Sequence, residues 1–199
     1  MINSRTAFVA APVLTAAYGV FRIINGLDGV RQPGFTWSAG HLCFIGALVC
    51  FVRAFAAMRT EAGSGRLSTV AFWTATVGAG AVVGQFVIDL VVGFLCADRD
   101  AMDTMYSSIQ GMPGVMPVFY SAVPMLFFVG QTILVVQLAR RRVVRPWAPV
   151  LIVVDNLIPF VDKDLIPLGA VLLLISYAPL YRTRENAGPA PVCPAGAAG

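Results

Sequence analysis

Charged side chains are scarce in this chain of 199 residues: 12% of the residues are charged and 58% are hydrophobic. A soluble domain usually carries about a quarter charged residues, so this composition is typical of membrane proteins. Six spans of ~20 residues, the length that crosses ~30 Å of hydrocarbon, nearly fill the chain. The composition therefore excludes a large enzyme with a separate soluble domain, and it predicts one membrane-embedded domain over residues 1–185.

Familiar catalytic and cofactor-binding motifs are also missing. The sequence contains no phosphate-binding loop, no HExxH, no GxSxG and no carboxylate run of the phospholipid-transferase type. Its single histidine and two separated membrane aspartates make a thin ligand set, so neither a metal nor a cofactor is predicted. The net charge of +4 comes from short arginine clusters between apolar runs, so nucleic acid is not a predicted partner. The cysteines lack CxxC spacing and are predicted to be small buried hydrophobes: Cys43, Cys50, Cys96 and Cys193.

Apolar segments of helical length fill most of the chain, at 7–25, 37–58, 67–95, 115–138, 146–161 and 165–181. The predicted fold is an all-α integral membrane protein, a bundle of six transmembrane helices. The first run continues beyond a signal peptide without an A-x-A cleavage site, so it is predicted to be a retained span. The fifth segment, with Pro149 and Pro159, would span only ~24 Å and is predicted to be short, and tilted, broken or re-entrant.

The basic residues predict the orientation of the bundle. With the N-terminus inside, ten arginines lie on or near the inner side and four basic residues on or near the outer side. This bias predicts a multi-pass protein of the cell membrane with both termini in the cytoplasm. The run Arg140, Arg141 and Arg142 would anchor the inner face; binding of anionic lipid headgroups is the alternative. Residues 186–199, rich in Pro, Ala and Gly, are predicted to form a disordered cytoplasmic tail.

Four ionisable residues stand inside the apolar segments: Arg22, His41, Asp89 and Asp155. Ionisable groups within hydrocarbon are costly and are therefore functional candidates. Counted along their helices, all four fall within ~5–10 Å of the outer surface, although they come from four different segments. An ion pair between Arg22 and Asp89 is the purely structural interpretation of this layer, because buried charges are expected to pair.

The functional interpretation is a pocket that opens outward and holds two carboxylates. Removal from water disfavours an ionised carboxylate, so Asp89 or Asp155 is predicted to act as a general acid, tuned by His41 or by the partner aspartate. Aromatic faces would stabilise a cation formed beside them. The predicted chemistry is acid–base catalysis on a lipid-like, isoprenoid substrate, such as a membrane terpene cyclisation. The predicted substrate-binding residues are Arg22, Phe44, Gln85, Phe86, Phe119, Tyr120 and Asn156.

Two other classes of function are compatible with the sequence. A small proton- or cation-coupled transporter could use the same carboxylates, but the inner half of the bundle offers few polar groups, and the small size favours a homo-oligomer. A non-catalytic accessory or immunity protein could dock through small residues. The GxxxG pattern from Gly80 to Gly84 lies in the third segment, where packing within the chain is the simpler explanation.

Overall fold

The computed structural model describes residues 3–182, and every regular element in this range is helical. The helices are α1 Ser4–Asn25, α2 Phe35–Glu61, α3 Arg66–Leu95, α4 Arg99–Gln110, α5 Val123–Arg140, α6 Ala148–Val161 and α7 Ile166–Arg182. A π-helical stretch, Val115–Ala122, leads into α5, and a 3-10 turn, Lys163–Leu165, leads into α7. The predicted disordered tail at 186–199 and Cys193 lie outside the described residues.

Five helices are long and apolar enough to cross a membrane: α1, α2, α3, α5 with its π-helical stretch, and α7 with its 3-10 turn. The structure is thus an all-helical bundle of the kind that membrane proteins form. Helix α6 has 14 residues and spans ~21 Å, less than the ~30 Å of hydrocarbon. It is short, as predicted, and continuous, with Pro149 in its first turn and Pro159 near its end. The sixth crossing and the orientation stay predictions.

Six helices form a closed ring in the order α1, α2, α3, α5, α6, α7, and α2 also contacts α5 across the middle. The closest approach is between α3 and α5. Gly78 faces the backbone of Phe127, and Gly130 faces the backbone of Ala71 and Ala75. Glycine residues, which have no Cβ, let helix backbones approach in this way. Gly78 therefore allows α3 to pack against α5 within the chain.

The predicted GxxxG pair divides between two environments. Gly84 faces the ring of Phe119, which belongs to the π-helical stretch, so it too packs within the chain. Gly80 is exposed, and a Cβ added there would meet nothing within 4 Å. The two glycines therefore do not act as one close-contact motif inside this bundle.

Helix α4 was not predicted: it lies between the apolar segments predicted at 67–95 and 115–138. Asp98 caps it by accepting a hydrogen bond from the backbone N–H of Ala101. Its apolar side chains recur at helical spacing, and Met102 is fully buried against Val92 and Cys96 at the end of α3. This short amphipathic helix therefore lies against one end of the bundle. We call this end the polar end: it is where α1 and α3 end and α2 begins.

Candidate functional site

Arg22 does not pair with Asp89. Its Nε donates to Asp164 Oδ1 at 3.1 Å, and Arg31 Nη2 donates to both oxygens of the same carboxylate at 2.8 Å. The interpretation of the layer as an Arg22–Asp89 ion pair is therefore wrong. The physical reason is the order of the ring: α1 lies between α2 and α7, and its backbone has no close neighbour on α3, although the rings of Tyr18 and Phe86 pack together. Arg22 consequently finds its partner in the turn before α7.

Asp89 instead contacts His41 and Tyr106, which together form one polar group. His41 Nδ1 lies 2.7 Å from the backbone oxygen of Trp37, which can only accept, so Nδ1 carries a hydrogen. The other ring nitrogen, Nε2, lies 3.4 Å from Asp89 Oδ2. The Tyr106 hydroxyl donates to Asp89 Oδ1 at 2.9 Å. The contact between Nε2 and Oδ2 is an ion pair when the histidine ring is protonated.

The His41 ring is enclosed by aromatic side chains. It is 8% exposed, against 25% for the Asp89 side chain. The ring centroids of Trp37, Phe86 and Tyr18 lie 4.4, 5.0 and 6.1 Å from it. This packing fixes the ring plane and keeps Nε2 directed at the carboxylate. The group therefore links α2, α3 and α4 at the polar end.

The tyrosine in this group belongs to α4, the helix that lies against the end of α3. Burial, together with the adjacent Asp89 carboxylate, raises the pKa of the Tyr106 phenol well above its usual value of 10.0. The hydroxyl thus keeps its proton throughout the physiological range and acts as a fixed donor. It holds α4 in place.

A separate, mostly apolar cavity of about 390 Å³ lies inside the ring of helices. We call it the aromatic cavity. Its volume is in the usual range for small-molecule sites. Its aromatic lining is Tyr18, Phe44, Phe51, Phe86, Phe127, Phe128 and Phe160. Its polar lining is Thr15, Gln85, Asp155, Asn156 and Lys163. Phe160 and Lys163 are exposed, so the cavity reaches the surface beside the end of α6.

Asp155 is the one carboxylate in this lining, and within residues 3–182 no hydrogen bond or ion pair reaches its side chain. Its Oδ1 lies against Gly169 of α7, where an added Cβ would stand 2.5 Å from it. One turn further along α6, Pro159 has no N–H to give to the Asp155 carbonyl. Asp155 therefore combines a carboxyl group that has no hydrogen-bond partner among residues 3–182 with a backbone carbonyl that lacks its usual helical donor.

Two amide side chains of the lining, Gln85 and Asn156, are already engaged. Gln85 donates to the backbone oxygen of Phe119 at 2.6 Å, which ties α3 to the π-helical stretch. Asn156 donates to the hydroxyl of Thr132 at 3.2 Å, which ties α6 to α5. Both amides keep the wall in place, and their oxygens stay available to a ligand. Asp155 is left as the unpaired acidic group.

The predicted site residues thus divide into two groups. Those that line the aromatic cavity are Asp155, Asn156, Gln85, Phe44 and Phe86. Those that do not are Asp89, His41, Arg22, Phe119 and Tyr120. The structure does not bring the two candidate acids together, because α3 and α6 are not neighbours in the ring.

Several lining residues were not among the predicted site residues. Tyr18 is the most informative, since it lies one helical turn before Arg22 on the same face of α1. Phe51, Phe127 and Phe128 were not singled out, because aromatic residues at helical spacing are ordinary core residues. Lys163 is one of the four basic residues predicted to lie on or near the outer side, and no binding role was predicted for it.

The aromatic cavity is closed toward the other end of the bundle. Leu173 lines the cavity, and one turn beyond it lies Tyr177, whose hydroxyl accepts a hydrogen bond from Gln131 at 3.0 Å. Both side chains are 0% exposed. This pair and the surrounding core of α2 and α5 separate the cavity from the exposed arginines Arg140, Arg141 and Arg142. Lipid binding by those arginines stays a prediction.

Known proteins offer no further guide to this site. No protein-family model matches the chain, and no curated protein or solved structure is significantly similar to it.

Proposed function

We propose that this protein is an intramembrane acid–base enzyme acting on an unsaturated, isoprenoid-like substrate held in the aromatic cavity. One observation carries the proposal: a carboxyl group without a partner, Asp155, lies in the wall of an otherwise aromatic and aliphatic cavity. An ionised carboxylate is expensive to bury without a partner. The neutral acid therefore fits this cavity best, and the neutral acid is the form that can donate a proton.

The chemistry needs no co-reactant. The Asp155 carboxyl group gives its proton to one carbon of a double bond, whose π electrons form the new C–H bond and leave a carbocation on the other carbon. Loss of a proton from a neighbouring carbon to the Asp155 carboxylate restores the acid and completes an isomerisation. If a second double bond attacks the cation before that loss, a ring C–C bond forms and the positive charge moves to the far carbon of that double bond. Loss of a proton from its neighbouring carbon to the Asp155 carboxylate then restores the acid and completes a cyclisation. The rings of Tyr18, Phe44 and Phe86, which lie 4.6 to 5.3 Å from one another, present their π electrons to the cation.

His41 and Asp89 have a supporting role in this proposal. His41 packs on Phe86 and Tyr18, both of which line the aromatic cavity. The contact with Asp89 and the hydrogen bond to Trp37 hold the histidine ring, and the ring supports the aromatic wall. Asp155 alone then acts as the acid. This is a narrower assignment than one in which either aspartate serves.

Transport and docking are supported less well. A carrier needs a polar path to the opposite side, and the buried pair of Gln131 and Tyr177 lies across that direction. Docking of a partner protein would use exposed small residues, and Gly80 is the exposed member of the α3 pair. A single exposed glycine defines no surface. The enclosed acid therefore favours catalysis.

The test is proton transfer to carbon. The full chain in detergent micelles is incubated in deuterated buffer with geraniol, farnesol or geranylgeraniol, and mass spectrometry measures deuterium bound to carbon. Asp155→Asn, which keeps the shape of the side chain, should lower incorporation by about 10²–10⁴-fold, the usual contribution of a general acid. Asp100→Asn is the matched control, because Asp100 is exposed on α4. Incorporation that survives Asp155→Asn, or none with any of the three alcohols, would contradict the proposal.

A further inference from the structure

Three arginines converge on a second cavity at the polar end, which we call the arginine cavity. Arg22 comes from the last turn of α1, Arg31 from the connection to α2, and Arg99 from the first turn of α4. The cavity has a volume of about 390 Å³, and its lining is completed by Gly29, Val30 and Trp37. Within residues 3–182, no acidic side chain belongs to this lining.

The carboxylate beside this cavity leaves many arginine donors unused. A guanidinium group carries five N–H donors. Arg31 gives only Nη2 to Asp164, and its Nε is buried without an acceptor in the described part of the chain. Arg22 uses Nε for the same carboxylate. Two arginines thus share one carboxylate, so the three groups together keep a formal charge of +1.

Arg99 adds a third, more movable guanidinium. It pairs with Asp103 one turn along α4 at 2.9 Å, with side chains 43% and 55% exposed. Exposed pairs of this kind are weak, so the arginine can turn toward a ligand at little cost. Its arrival depends on α4, which Tyr106 and Met102 hold against α3. The docking of α4 therefore completes the cavity.

From this arrangement we infer that the arginine cavity binds a phosphate-class anion, a function separate from the chemistry in the aromatic cavity. A phosphate group at neutral pH carries a charge of about −1.5 to −2 and several acceptor oxygens. Guanidinium forks match these oxygens two at a time. The same chemistry occurs in a lipid headgroup and in free phosphate, and the cavity would accept either. Neither source depends on Asp155, so this inference and the proposed enzymatic activity stand or fall separately.

The experiment measures binding to the full chain in dodecyl maltoside micelles, which contain no phosphate. One arm adds inorganic phosphate, and the other adds dioctanoyl phosphatidic acid, with dioctanoylglycerol as the lipid that lacks the headgroup. Sodium chloride keeps the ionic strength constant, since screening alone weakens arginine–anion contacts. The rise in melting temperature with ligand concentration gives the affinity. The variants are Arg31→Gln and Arg99→Gln, and Arg66→Gln, an exposed arginine at the opposite end of α3, is the matched control.

At least one of the two phosphate ligands should stabilise the protein, and each cavity variant should weaken that binding about tenfold or more. Arg66→Gln should leave it unchanged. Should Arg31→Gln prevent folding through its contact with Asp164, Arg99→Gln decides alone, because its partner Asp103 is exposed. Stabilisation by inorganic phosphate identifies a soluble ligand, and stabilisation by phosphatidic acid alone identifies a headgroup. Absence of both effects, full binding by Arg99→Gln, or equal loss in Arg66→Gln overturns the inference.

Discussion

Two glycines on α3, which are two residues apart and lie on opposite faces of the helix, give the sharpest test of the bundle. A Cβ at Gly78 would overlap the backbone N and Cα of Phe127 on α5, whereas a Cβ at Gly80 would meet nothing within 4 Å. Replacement by alanine favours the helix at either position by about 0.5–1 kcal/mol. At Gly78 this gain is opposed by overpacking, which usually costs about 1–3 kcal/mol. The backbone of Phe127 cannot rotate away as a side chain would, so the upper part of that range applies.

The expected result is therefore opposite in sign for the two variants. Gly80→Ala should leave the protein as stable as the original or up to about 1 kcal/mol more stable. Gly78→Ala should destabilise it by roughly 1–2 kcal/mol, the difference between the two terms. Unfolding in mixed micelles with increasing sodium dodecyl sulfate, followed by circular dichroism, measures both. Equal stability of the two variants, or greater stability of Gly78→Ala, would show that α3 and α5 do not pack as described.

Two further predictions concern hydrogen bonds at opposite depths of the bundle. Gln131→Leu should cost about 1–3 kcal/mol, because it leaves the buried Tyr177 hydroxyl without its donor, and adding Tyr177→Phe should recover most of that loss in the same unfolding assay. At the polar end, the pKa of Tyr106 is raised in the folded protein. The folded protein therefore keeps the phenol proton at pH values above 10.0, the usual tyrosine pKa, where the unfolded chain loses it. Stability is therefore complete below about pH 10 and falls as the pH rises further. The fluorescence of a variant that retains only Trp37 should report this alkaline release of α4, and Tyr106→Phe should abolish its pH dependence.

The apolar helices could be predicted from the sequence to within a few residues. The run predicted at 37–58 is α2 from Phe35 to Glu61, and the run at 67–95 is α3 from Arg66 to Leu95. Long apolar runs define such helices because hydrocarbon admits few other structures. Helix α4 was missed because most of its residues are polar. Its apolar stripe has only a few residues, with Met102 at the centre.

The sequence could predict how far along its helix each residue of the candidate site lies. It could not predict which residues each of them contacts. Counting 1.5 Å per residue places a side chain along its helix. It does not give the side of the helix that meets a neighbour, nor which helices are neighbours. Arg22 and Asp89 share a depth and never meet, because α1 and α3 are separated by α2 in the ring. The partner of Arg22, Asp164, lies in a short turn that no periodicity distinguishes.

The same geometry explains why the two membrane aspartates have different environments. Helices α3 and α6 are separated in the ring by α5, so Asp89 and Asp155 could meet only across the centre of the bundle. That centre is occupied by the aromatic cavity and its rings, among them Phe86 and Phe127. Asp89 therefore takes its partners locally, His41 from α2 and Tyr106 from α4. Asp155 lines the cavity without a hydrogen-bond partner in the described part of the chain, and this difference in pairing is the reason why we propose Asp155 as the acid.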